Sequence, residues 1–133
     1  MNDPVARGRA LLGVRFRPQG RSATHGLDCV GFVAAAFDLP PSEVPAGYRL
    51  RGGDAQRIEH ELRRLGFARV AHGPWPGDLA IVEAGPRQLH FALRTGTGVL
   101  HADAGLGRVV ERPGDVPWPV LSAWRHRIGA RED

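Results

Sequence analysis

Cys29 is the only cysteine among 133 residues, so the chain can form neither an internal disulfide nor a cysteine-rich zinc site. A lone cysteine is ordinarily a small buried hydrophobe, but the neighbours of this one point elsewhere. Asp28 is a natural helix N-cap. In the run CVGFVAAAF that follows, Val30, Val33, Ala34 and Phe37 fall at i, i+3, i+4 and i+7, while Phe32, Ala35 and Ala36 leave hardly any polar face. Such a helix is buried, and Cys29 stands at its first position. There the free N–H groups and the helix dipole favour a thiolate. The placement predicts a nucleophile.

A thiol nucleophile needs a base, and six histidines are available. His60 and His126 lie among Arg and Glu and read as solvated side chains. His72 sits beside a Pro/Gly turn, and His25, in a loop close to Cys29, is placed to line a site without acting as its base. His90 and His101 differ, because both fall in strand patterns. In QLHFALR, Leu89, Phe91 and Leu93 share one face and His90, Ala92 and Arg94 the other. A two-residue hairpin loop at Gly96-Thr97 pairs Thr95 with Gly98, Leu93 with Leu100 and Ala92 with His101. His101 then shares a face with His90, diagonally about 7 Å away, and Ala92 leaves room for the Cys29 helix to cover that face. The pattern predicts a Cys–His–His arrangement in which Cys29 attacks a carbonyl, His90 carries the proton and His101 orients His90. A metal site built from His90, His101 and Asp103 is the competing chemistry, but the hairpin offers no fourth ligand, and neither metal nor organic cofactor is expected.

The elements that position these residues are legible in outline. Asp3-Pro4 predicts a short helix over 4–12 with Gly13 as its stop. Residues 14–26 read as a basic, glycine-bearing loop, and 38–53, with Pro40, Pro41 and Pro45, as a surface excursion. A third helix is predicted from about Asp54, with Ala55, Ile58, Leu62 and Leu65 on one face and Gly66 at its end. Strands are then predicted in DLAIVE, QLHFALR, GVLHA, GRVVE and VLSAWRHR. Helices first and strands afterwards indicate an α+β domain with an antiparallel sheet, and the length suits a single domain over 1–133.

Composition excludes more than it selects. All eighteen basic residues are Arg and the formal charge is +4, but the arginines are scattered and not interleaved with aromatics, so nucleic acid is not an expected partner. The charge suits a modest attraction to anionic polymers, bacterial cell wall among them. No apolar run approaches the roughly 20 residues that span a bilayer. MNDPVARGRALLG lacks the layout of a secretory signal, so synthesis in the cytoplasm is expected, with any export carried by something else.

Several of these segments together resemble the NlpC/P60 family of cell-wall cysteine peptidases. GLDCVGFVAAAF resembles the family's nucleophile motif, Asp-Cys-Ser-Gly followed by an apolar helix. PGDLAIV resembles its Gly-Asp-Leu turn, and LHFALRTGTGVLHA its histidine-bearing hairpin ending in His-Ala. The likeness runs from about residue 6 to about residue 125, and ALLGVRFRPQGRS with the Trp-containing end resembles the phage and prophage tail-associated branch. The resemblance implies a papain-like α+β fold with the nucleophile helix packed on one face of the antiparallel sheet. It further implies cleavage of peptide bonds in peptidoglycan stem peptides through an acyl-enzyme, with Cys29 as nucleophile, His90 as base and His101 as the third polar residue. Substrate contacts are implied at Asp28, Phe16 and Val30, with His25 lining the site. Val30 and Phe16 stand where the family usually has Ser and Tyr, so the bond cleaved is left open by the loss of two hydroxyls. Phage-type tail or baseplate proteins are the implied partners, with action at the cell wall after delivery by a tail particle or lysis. A structural part of a tail tip that keeps the hydrolase fold is the alternative.

Overall fold

In a computed structural model, residues 3–44 and 54–127 are described; most of the proline-rich excursion expected over 38–53 lies outside them. The first helix, α1 (Pro4–Ala10), begins where Asp3 Oδ1 accepts the N–H groups of Val5 and Ala6. It ends two residues sooner than the pattern suggested, in a turn closed by Leu11 N–H on the Gly8 carbonyl. Two short strands, β1 (Arg21–Ser22) and β2 (Gly26–Leu27), form a small hairpin inside the expected loop. The next helix, α2 (Cys29–Ala36), is capped by Asp28, whose Oδ1 accepts the Gly31 N–H at 2.8 Å. Every α2 residue except Ala35 is buried, as a run without polar side chains requires. A third helix, α3 (Ala55–Arg64), starts on the Asp54 cap and buries only Ile58 and Leu62.

Six strands build the main sheet: β3 (Phe67–Val70), β4 (Leu79–Gly85), β5 (Gln88–Arg94), β6 (Gly98–Asp103), β7 (Arg108–Pro113) and β8 (Val120–His126). Their spatial order is β3-β8-β4-β5-β6-β7 and all neighbours are antiparallel. Strand β3 has no alternating apolar pattern by which to be read, since only Phe67 of its four residues is buried. The turn before β4 is fixed by Asp78, which is 1% exposed, binds Arg125 of β8 through both carboxylate oxygens and accepts the Trp75 N–H. Those three donors satisfy a buried charge.

The helices and the sheet enclose one apolar cluster in which Cys29, Phe32 and Val33 of α2 join Leu79, Ile81, Leu89, Phe91, Leu93, Leu100, Ala102 and Trp124. A Cβ on Gly8 of α1 would touch Leu100, Leu93 and Phe32, which places both helices on this face. Helix α2 therefore covers the Leu89/Phe91/Leu93 face and not, as the small Ala92 had suggested, the His90/Ala92 face. The large side chains offer more apolar area to bury than an alanine between two imidazoles does. The histidine face is crossed by residues 114–119, which carry the chain from β7 to β8 over the intervening strands. This strap is tied down where the Arg94 guanidinium donates to the Gly114 carbonyl (3.2 Å) and the Glu83 N–H to the Pro119 carbonyl (3.0 Å).

The β5–β6 hairpin has the expected register: Leu93 faces Leu100, and Thr95 N–H donates to Gly98 O at 2.8 Å. Pairing includes Arg94–Val99 and ends at Leu93–Leu100, so the Ala92–His101 pair expected next does not form, whereas β5 remains paired with β4 as far as Gln88. Beyond Leu93 the two strands diverge, and the start of α2 meets the sheet at the split.

Candidate active site

Alternate N–H groups of β5 point toward β6, Thr95 among them, so the divergence leaves the Phe91 N–H without a strand partner on that side. That N–H favours the charged form of the nearby Cys29 thiol. On the strand's other face, His90 Nε2 lies 3.0 Å from His101 Nδ1 with the two rings edge-on. The shared face expected for these histidines is thus observed, and they lie closer than a bare diagonal spacing because the rings turn toward each other. His101 Nε2 in turn lies 4.0 Å from Asp103 Oδ2. Trp118 of the strap packs edgewise on both imidazoles, with centroids 5.5 Å from His90 and 5.0 Å from His101.

A cavity of about 470 Å³ is lined by Phe16, Asp28, Cys29, His90, His101 and Trp118, among others. Two residues expected at the site are elsewhere. His25 is exposed beside Ser22 Oγ (3.4 Å) and does not line the cavity. Val30 is 5% exposed and packs into the apolar cluster. Asp28 has a crowded carboxylate: Oδ1 accepts from Gly31 N–H and the Arg21 guanidinium, both at 2.8 Å, and Oδ2 accepts from Gln19 N–H at 2.9 Å. Sequence reasoning missed Trp118, although a tryptophan between two prolines in a crossover segment is poorly suited to a sheet and free to cap one. It also misread His126. That side chain is 4% exposed, packs against Phe37 and Phe67 and faces the Leu65 carbonyl.

The electrostatics correct a second expectation. Burial, followed by the neighbouring Asp28 charge, pushes the Cys29 thiol up to about 12, against the weaker opposing pull of the Phe91 and Val30 N–H groups. Position at a helix N-terminus does not outweigh that desolvation, so the free protein holds a neutral thiol. Burial and the adjacent His101 bring His90 down to about 4, and burial also lowers His101. The resting site is a thiol beside neutral imidazoles. Charging a thiol and an imidazole together costs less than charging either alone, since opposite charges attract.

For the Nδ1 of His90 to accept a proton, its Nε2 must carry the ring hydrogen and donate to His101 Nδ1. In that tautomer His90 Nδ1 is an unprotonated acceptor. Among the described residues, no group of three or more His, Cys, Asp or Glu side chains is placed to hold a metal ion. One consequence is measurable in the free protein. Iodoacetamide is expected to alkylate native Cys29 slowly at pH 7, with a rate that rises about tenfold per pH unit through pH 9–11 as the thiolate fraction grows. A rate already level at pH 7 would show a preformed thiolate.

This architecture is the papain-like α+β fold of NlpC/P60 domains. It is shared with the peptidoglycan hydrolase RipB from Mycobacterium tuberculosis, at 20% identity and a TM-score of 0.58 over 92% of this chain and 62% of that one. The NlpC/p60 domain of the peptidoglycan hydrolase SagA is similar at 22% identity and a TM-score of 0.58, covering 90% of this chain and 93% of that one. The P60 domain of antigen MAP1204 from M. avium subspecies paratuberculosis gives 19% identity and 0.56, covering 92% and 90%. The chain thus spans less than two thirds of RipB and nearly all of the other two. No family model matches the chain, and no curated protein matches it by sequence.

Proposed function

We propose that this protein is a cysteine peptidase that hydrolyses peptide bonds in peptidoglycan stem peptides. The reading rests above all on one observation: the 3.0 Å contact between His90 Nε2 and His101 Nδ1 in the cavity that Cys29 also lines. Two solved structures of the same fold are described as peptidoglycan hydrolases, which supports the substrate class. Cys29 Sγ attacks the scissile carbonyl while its proton passes to His90 Nδ1, and His90 then protonates the departing amine. Water next attacks the thioester, gives its proton to His90, and the thiol is restored as the acid leaves. Substrate contacts are assigned to Phe16 and Asp28 and withdrawn from His25 and Val30.

Delivery to the cell wall by a phage-type tail is part of the proposal, on the resemblance of ALLGVRFRPQGRS and the Trp-containing end to that branch. Purified sacculi incubated with the protein are expected to release soluble peptide, unchanged by EDTA and abolished by Cys29→Ala. Loss on chelation with recovery on zinc would replace this mechanism by a metal-dependent one. A folded wild type that releases nothing would favour an assembly role.

A further inference from the structure

We infer that Asp103 is a positioning residue that extends the histidine pair, fixing the tautomer of His101 and thereby that of His90. The inference rests on the hydrolase reading only for its effect on turnover. His101 and Asp103 are two residues apart on β6 and therefore point to the same face. The His101 side chain is 4% exposed and the Asp103 side chain 27%, with Nε2 and Oδ2 4.0 Å apart. That is ion-pair range and longer than a hydrogen bond, as contacts in unliganded sites commonly are before substrate closes them. A carboxylate has no hydrogen to give, so the ring nitrogen facing it is the one that carries the proton. With His101 protonated on Nε2, its Nδ1 is an acceptor. His90 Nε2, 3.0 Å away, must then be the donor, which leaves His90 Nδ1 as a free base. One carboxylate sets the direction of the whole chain.

Among the described residues, Arg94 shares the His90 face of β5 but donates to the Gly98 and Gly114 carbonyls. Asp103 on β6 favours the imidazolium at both rings, while Arg112 on the adjacent β7 opposes it at His101. Cys29 and Asp28, at the start of α2, line the same cavity. Trp118 from the strap adds no charge. Asp103 also has a structural duty, because its Oδ1 accepts the Leu106 N–H at 3.0 Å in the β6–β7 turn. Asp103→Asn keeps an oxygen for that turn and removes the charge, so it separates the two roles.

The test is nitrogen-15 NMR of the imidazoles in the free protein, together with the pH profile of kcat/KM. In the wild type, His101 is expected to be protonated on Nε2 and not on Nδ1. In Asp103→Asn the imidazole titrations move to lower pH, because the anion that favoured the charged rings is gone. The acid limb of kcat/KM moves the same way while kcat falls about tenfold, less than the ~10²–10⁴ attributed to a general base itself. Asp103→Glu, which restores the charge, returns both toward wild type. A folded Asp103→Asn with unmoved imidazole titrations, or a wild-type His101 protonated on Nδ1, overturns the assignment. A merely structural role would lower kcat with the acid limb in place. Shifted titrations in a protein that hydrolyses nothing would uphold Asp103 and refute the hydrolase reading.

Discussion

Replacing His90 by alanine is expected to lower kcat by about 10²–10⁴-fold while leaving KM and the fold nearly unchanged. The loss is large because the Cys29 thiol is pushed up to about 12, so at neutral pH almost no thiolate exists without a base to take its proton. The fold should tolerate the change, because His90 points to the strap side of β5 and is not part of the apolar cluster beneath α2. His101→Ala should be milder, since water can partly replace an orienting residue. His101→Asn or Gln should retain more activity than alanine, because either side-chain oxygen can accept the ring hydrogen from His90. Steady-state kinetics on a stem-peptide substrate with a folded His90→Ala protein reads the effect. Full activity in His101→Ala would leave the hairpin register standing and remove the orienting role.

The second large effect is on the fold, at Gly31→Ala. On helix propensity alone, alanine in place of a helical glycine gains about 1 kcal/mol. Here a Cβ would collide with the Gly20 carbonyl oxygen, which is backbone and cannot rotate aside. The loop must move away from α2, carrying Gln19 and its N–H off Asp28 Oδ2 and disturbing the cavity wall that Pro18 and Gln19 form. Overpacking of this kind costs about 1–3 kcal/mol, so urea unfolding should show net destabilisation together with reduced activity. A stabilised Gly31→Ala protein would mean that the loop yields freely. This close approach is a physical reason for glycine two residues after Cys29.

What the sequence made legible was what local pattern encodes. Asp28 as N-cap and the apolar run after it located the start of α2, and the parity of a two-residue loop was enough to put His90 and His101 on one face. Tertiary choices were not encoded locally. The face of β5 that α2 covers depends on competition between its two sides, and the larger Leu89, Phe91 and Leu93 outweigh the room that a small Ala92 leaves. His126 was obscured by its Arg neighbours, although alternation from Trp124 along β8 places it on the buried side. The protonation of Cys29 depends on how deeply the helix start is sunk between diverging strands, and no spacing reports that divergence. Trp118 belongs to a crossover whose path is set only once β8 inserts between β3 and β4.

Mass spectrometry of peptidoglycan fragments after incubation with wild type and with Cys29→Ala tests the assignment of Cys29 most directly. The wild type is expected to yield stem peptides cut at one amide bond, each cut leaving a new carboxyl end and a new amine end with glycosidic bonds intact. Cys29→Ala, folded by circular dichroism, is expected to leave every stem peptide whole. Equal cleavage by the alanine variant, or wild-type products cut only in the glycan, would contradict a thiol-dependent peptidase.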